Sequence, residues 1–99
     1  MMTFDEVAKR GDWRPIYGCP GRFVLRGVSS HTDIFELLGS EIEVQKFDRS
    51  NAKDTAFVAR LDDGGLISYS RPDGTWVHTL CTRDGFDRKI RQLEIIMFE

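Results

Sequence analysis

The stretch LISYSRPDGTWVHTLC, residues 66–81, decides the fold. Two segments of alternating polar and apolar residues flank RPDG, and such alternation marks strands with two unlike faces. Pro72 fixes φ at the second turn position, Asp73 tolerates the third, and Gly74 supplies the left-handed residue of a type I turn with a bulge. That turn sets the register: Arg71 opposite Thr75, Ser70 opposite Trp76, Tyr69 opposite Val77, Ser68 opposite His78, Ile67 opposite Thr79 and Leu66 opposite Leu80. One face then carries Ile67, Tyr69, Val77, Thr79 and Cys81, apolar enough to meet helices. The other carries Leu66, Ser68, Ser70, Trp76, His78 and Leu80, and is expected to face solvent, a partner or a groove.

The period of two extends backwards from the hairpin. DTAFVARL (54–61) and EIEVQKF (41–47) alternate in the same way, and DDGG (62–65) separates the former from LISYS. RFVLRGV (22–28) sets Phe23 and Leu25 against Arg22, Val24 and Arg26, a strand with a basic far face.

Forwards, the period becomes helical. Thr82 can cap a helix over 83–93 whose Phe86, Ile90 and Leu93 recur at spacings of four and three, the stripe that lies on a sheet. Asp84 with Arg88 and Asp87 with Arg91 form acid-before-base pairs four apart, which accounts for the basic cluster Arg88, Lys89 and Arg91 as helix support. At the start of the chain, Thr3 with Glu6 is a capping-box pattern for a short helix ending by Gly11. SSHTDIFELLG supplies Ser30 or Thr32 as a cap and Gly39 as a stop for a second short helix. DWRPIYGCPG breaks any regular element and is expected to be a loop packed down by Trp13, Ile16 and Tyr17.

These elements predict an α+β fold in a single domain spanning 1–99. It is an antiparallel meander of four to five strands (22–28, 41–47, 54–61, 66–70, 75–81), with a C-terminal helix (83–93) on one face and a short N-terminal helix. The alternative is a small, partly closed five-stranded barrel.

Composition narrows the function classes. Ninety-nine residues with 40% hydrophobic content suffice for one core. A net charge of −2 leaves no overall basic field to draw in nucleic acid or an anionic membrane. Two cysteines do not make a disulfide framework, and no apolar run reaches spanning length, so a reduced, cytoplasmic location without membrane association is expected.

Three chemical constellations fail on spacing. His78 and Cys81 project from opposite faces of a strand, so a thiol–imidazole pair cannot form without a bulge. Cys19, His31, His78 and Cys81 lack the close pairing of structural zinc ligands, and no metal is expected. GCPGR and DDGGL match no phosphate-binding loop pattern, and turn formation explains their glycines. No catalytic residue and no cofactor is assigned.

What remains is a small non-enzymatic interaction or regulatory module with a protein partner. Its binding-face candidates are Trp76, His78, Ser68, Ser70, Arg71, Arg22 and Arg26, indole and guanidinium being enriched at binding hot spots. The alternative is a single-stranded nucleic-acid binder that stacks bases on the same basic and aromatic sheet face. The apolar ending, with Ile96, Met97 and Phe98, is expected to dock on the core, extend a sheet edge or form a homodimer contact.

Overall fold

A computed structural model describes residues 2–28, 30–39, 44–48 and 55–98. The chain forms α1 (Phe4–Ala8), β1 (Trp13–Pro15), β2 (Arg22–Leu25), α2 (His31–Leu38), β3 (Val44–Asp48), β4 (Thr55–Leu61), β5 (Gly64–Ser70), β6 (Trp76–Thr82) and α3 (Arg83–Phe98). The strands make one antiparallel sheet in the order β1-β2-β6-β5-β4-β3. It is open: β1 and β3 are its edges, so the barrel alternative does not hold. The arrangement is α+β, with the expected meander extended by β2 and by the additional short strand β1.

The 66–81 hairpin has the register its turn dictates, from Leu66 opposite Leu80 to Ser70 opposite Trp76. Gly74 sits at φ 86°, and its amide donates to the Arg71 carbonyl at 3.0 Å while the Arg71 amide donates to Thr75 at 2.7 Å. Asp73 accepts from both the amide and the hydroxyl of Thr75, which holds its carboxyl below the usual carboxylate range.

Each face of the sheet has its own helical cover. On one face, Ala56, Val58, Ile67 and Cys81 pack against Phe86 and Ile90 of α3. Gly65 allows the closest approach, since a Cβ there would stand 2.1 Å from two atoms of the Phe86 ring. The Arg60 guanidinium lies 5.3 Å from the centroid of that ring. On the other face, Ala59, Leu66 and Leu80 join Leu25, and Met2, Val7, Ile34 and Leu38 from α1, α2 and the N-terminus close over them.

Polar contacts fix that second cover in place. Thr3 caps α1 by accepting from the Glu6 amide, and Asp63 of the β4–β5 turn accepts from the Phe4 amide at 2.7 Å. Arg10 donates to the Leu38 carbonyl at the end of α2, and the Trp13 indole donates to the Val7 carbonyl.

Four local expectations change. DWRPIYGCPG is not wholly irregular, because Trp13–Pro15 pairs with β2 as an edge strand, where Pro15 needs no ladder donor. Its Tyr17 does not pack down and stands fully exposed at 103%. Gly64 and Gly65 belong to β5 rather than to the turn, because both oppose β6 where a Cβ would strike the Cys81 carbonyl or Phe86. Residues 95–98 continue α3 instead of extending a sheet edge, while the side chains of Ile96, Met97 and Phe98 lie outside the described residues. Residues 41–43 of the expected 41–47 strand also lie outside them.

No helix among the described residues is long and apolar enough to cross a membrane.

Candidate functional site

The face expected to lie open is closed over its centre. His78 is 0% and Ser68 2% exposed, both beneath the α1 and α2 cover. They tolerate burial by satisfying each other: Ser68 Oγ lies 2.7 Å from His78 Nδ1, and His78 Nε2 lies 3.1 Å from the Ser30 carbonyl oxygen. A carbonyl can only accept, so in the neutral ring Nε2 carries the proton and Nδ1 accepts from the serine hydroxyl. The pair ties β5 and β6 to the segment that leads into α2.

The other sequence candidates do not converge. Trp76 is half-buried and stacks on Phe57 with centroids 5.2 Å apart, beside half-buried Ser70. Arg71 is exposed at the hairpin tip, and Arg26 is exposed just beyond the end of β2. Arg22 pairs opposite Cys81, which puts it on the α3 face, away from Trp76. Helices pack on both faces of the sheet, against residues of β2, β4, β5 and β6.

Arg22 instead joins side chains at the start of α3. A cleft of about 180 Å³ opens between the loop Gly18, Cys19 and Pro20, the β2 residue Arg22, and Gly85, Arg88 and Lys89 of α3. Its walls are locked together by backbone: the Thr82 amide donates to the Gly21 carbonyl at 2.9 Å, and the Arg22 amide donates to Cys19 at 3.2 Å. Gly85 is needed for the fit, since a Cβ there would lie 2.9 Å from the Gly21 oxygen and 3.4 Å from Arg22 Cγ.

Three cations therefore share one cleft that, among the described residues, is lined by no acid. Arg22 Nη1 reaches Cys19 Sγ at 3.8 Å, and its Nε is buried without a hydrogen-bond partner. Arg88 donates to the Pro20 carbonyl at 3.4 Å. Lys89 Nζ lies 5.8 Å from the Tyr69 ring centroid, and burial, followed by the charge of Arg22, pulls its pKa below the ordinary lysine value. Among the described residues the ion pair is Arg14 with Asp12, and none of the three cleft cations has a carboxylate partner.

The helix-support explanation holds only in part: Asp84 stands in the first turn of α3, but the expected ion pairs do not form. Asp84, Asp87, Arg88 and Arg91 do share a shallow depression on α3, yet neither acid pairs with the arginine four residues on. Arg88 reaches across to the loop instead.

Comparison with protein families, curated proteins and solved structures finds no match.

Cys81 sits under the sheet–α3 contact, fully buried, and burial pushes its thiol up to about 11. It belongs to a different core from His78. Both cysteines are free, and no group of three His, Cys, Asp or Glu side chains able to hold a metal occurs among the described residues.

Proposed function

We propose that this chain is a non-enzymatic binding module whose working site is the cation-lined cleft between the 18–22 segment and the start of α3, and that it takes an anionic group there. The observation that carries this reading is the gathering of Arg22, Arg88 and Lys89 around one cleft with no carboxylate among its described walls. Like charges brought together and partly desolvated raise the free energy of the empty protein. An incoming anion removes that cost and supplies charged acceptors to an arginine fork whose Nε has no hydrogen-bond partner.

The test is an amide-resolved NMR titration with small anions at constant ionic strength, on wild type and on Arg88→Met and Lys89→Met. Shifts confined to residues 18–22 and 82–90, lost in both variants, are expected. Lys89→Met should also melt no lower than wild type when no anion is present, because it removes a repulsion. The reading fails if no anion perturbs those amides, or if the shifts survive neutralisation of both cations.

A further inference from the structure

The cleft's charge, size and donor geometry select one class of anion. Resting on the anion-binding reading above, we infer that the ligand is a phosphate monoester whose dianionic phosphoryl group enters the cleft while the rest of the molecule stays outside. Three formal positive charges converge there: Arg22 from β2, and Arg88 and Lys89 from consecutive positions of α3. A carboxylate would offset one of them and leave two cations facing each other. A phosphate dianion offsets two and spreads its charge over three acceptor oxygens.

Donor geometry agrees with the charge count. Two guanidinium groups present planar forks suited to a tetrahedral oxyanion, and the Lys89 ammonium adds a point charge. Arg22 is the more buried of the two arginines, with Nε unpartnered and Nη1 on the Cys19 sulfur, a weak acceptor, so its fork has donor capacity that an oxyanion takes up. Arg88 and Lys89 form the outer wall. At about 180 Å³ the cleft is smaller than the roughly 300–1,000 Å³ that encloses a whole drug-sized ligand, so it receives a group and not a molecule.

The surrounding titratable groups leave the ligand as the main source of pH dependence below neutrality. Lys89 is faced by Tyr69 of β5, Arg22 of β2, Cys81 of β6 and Cys19 of the loop. Its pKa is lowered from 10.5, chiefly by burial, and Cys81 stays a thiol to about 11. Asp84 and Asp87 line the neighbouring depression with Arg88 and Arg91. A phosphate monoester loses its second proton near pH ~6, so its dianion fraction rises about tenfold between pH 5 and 7.5.

The test is calorimetric titration of the full chain with methyl phosphate, sulfate and acetate at pH 5 and pH 7.5. Methyl phosphate should bind tightest at pH 7.5 and lose about tenfold in affinity at pH 5, whereas sulfate and acetate should hold nearly constant. Arg22→Lys keeps the charge but removes the fork, and should weaken methyl phosphate and sulfate alike, both being tetrahedral oxyanions that the fork suits. Arg88→Met, at an exposed position that does not threaten folding, should weaken methyl phosphate at least tenfold. Glycerol phosphate and a phosphoserine tripeptide separate the two sources of such a group, the tighter binder naming the source. Equal affinity for all three small anions with a flat pH profile overturns the phosphate assignment and leaves an unselective anion module standing. Failure of all three to bind overturns both.

Discussion

Adding one methyl group at Gly65 should unseat α3. An ideal Cβ at that position stands 2.1 Å from Cδ2 and Cε2 of Phe86 and 2.6 Å from Cγ, and carbon atoms pack at about 3.5–4.0 Å. The ring would have to withdraw by about 1.5 Å, but it is only 3% exposed and has the Arg60 guanidinium alongside it. Overpacking of this kind costs ~1–3 kcal/mol, and the ring's displacement places the substitution at the upper end. Alanine returns ~0.5–1 kcal/mol over glycine in a strand, so Gly65→Ala should cost about 2 kcal/mol, or ~8–16 °C in a chain of this size. Phe86→Ala alone should cost ~3–5 kcal/mol through its cavity. The double variant lets the new methyl occupy space the ring vacated, so its cost should fall short of the sum by about 2 kcal/mol. Urea denaturation followed by circular dichroism measures all three. A neutral Gly65→Ala, or strict additivity, would refute the claim that the Phe86 ring lies directly on the Gly65 backbone. Because Arg88 and Lys89 ride on α3, Gly65→Ala should weaken anion binding without touching the cleft.

The buried Ser68–His78 pair gives a second test on the opposite face. His78→Leu strands the Ser68 hydroxyl in an apolar setting and should cost ~1–3 kcal/mol, while His78→Leu with Ser68→Ala should cost less than the two single changes added together; additivity in urea melts would count against the bond. For the thiols, iodoacetamide at pH 8 should label half-buried Cys19 and spare Cys81 until the protein unfolds. The Cys81 thiol titrates higher folded, at about 11, than its ordinary 9.0, so its stabilising contribution is complete below pH ~9 and fades as pH climbs through about 11. Cys81→Ala should flatten the fall of stability across that window, and an unchanged slope would contradict the assignment.

The hairpin was readable to the residue because RPDG admits one turn, and one turn admits one register. The stripe Phe86 and Ile90 was readable for the same kind of reason: its period has one geometric solution, a helix lying on a sheet. Alternation sorts residues onto faces but says nothing about what covers each face. Ser68 and His78 counted as polar, hence outward, although together they form a satisfied unit that can be buried. The cleft was illegible for a different reason. Arg22 comes from an early strand and Arg88 and Lys89 from the last helix, and only the β2–β6 pairing makes them neighbours. In sequence, Arg88 also has an acid four residues before it, so a local explanation hid a tertiary one. GCPGR matches no phosphate-loop pattern, yet it supplies one wall of the cleft through its backbone turn.

The strand order also dictates a sequence of events in time. Strands β3 to β6 follow one another as antiparallel neighbours, whereas β2 must find β6 across all the intervening chain. Short-range pairings form early, and closing a long loop is entropically slower, so β1 and β2 should be the last strands to join and the first to leave. Amides of β2 would then exchange with solvent through an opening that spares the meander. An anion bridging Arg22 to Lys89 spans that seam, and occupancy of the cleft would act as a clasp that slows the departure of the chain's first third.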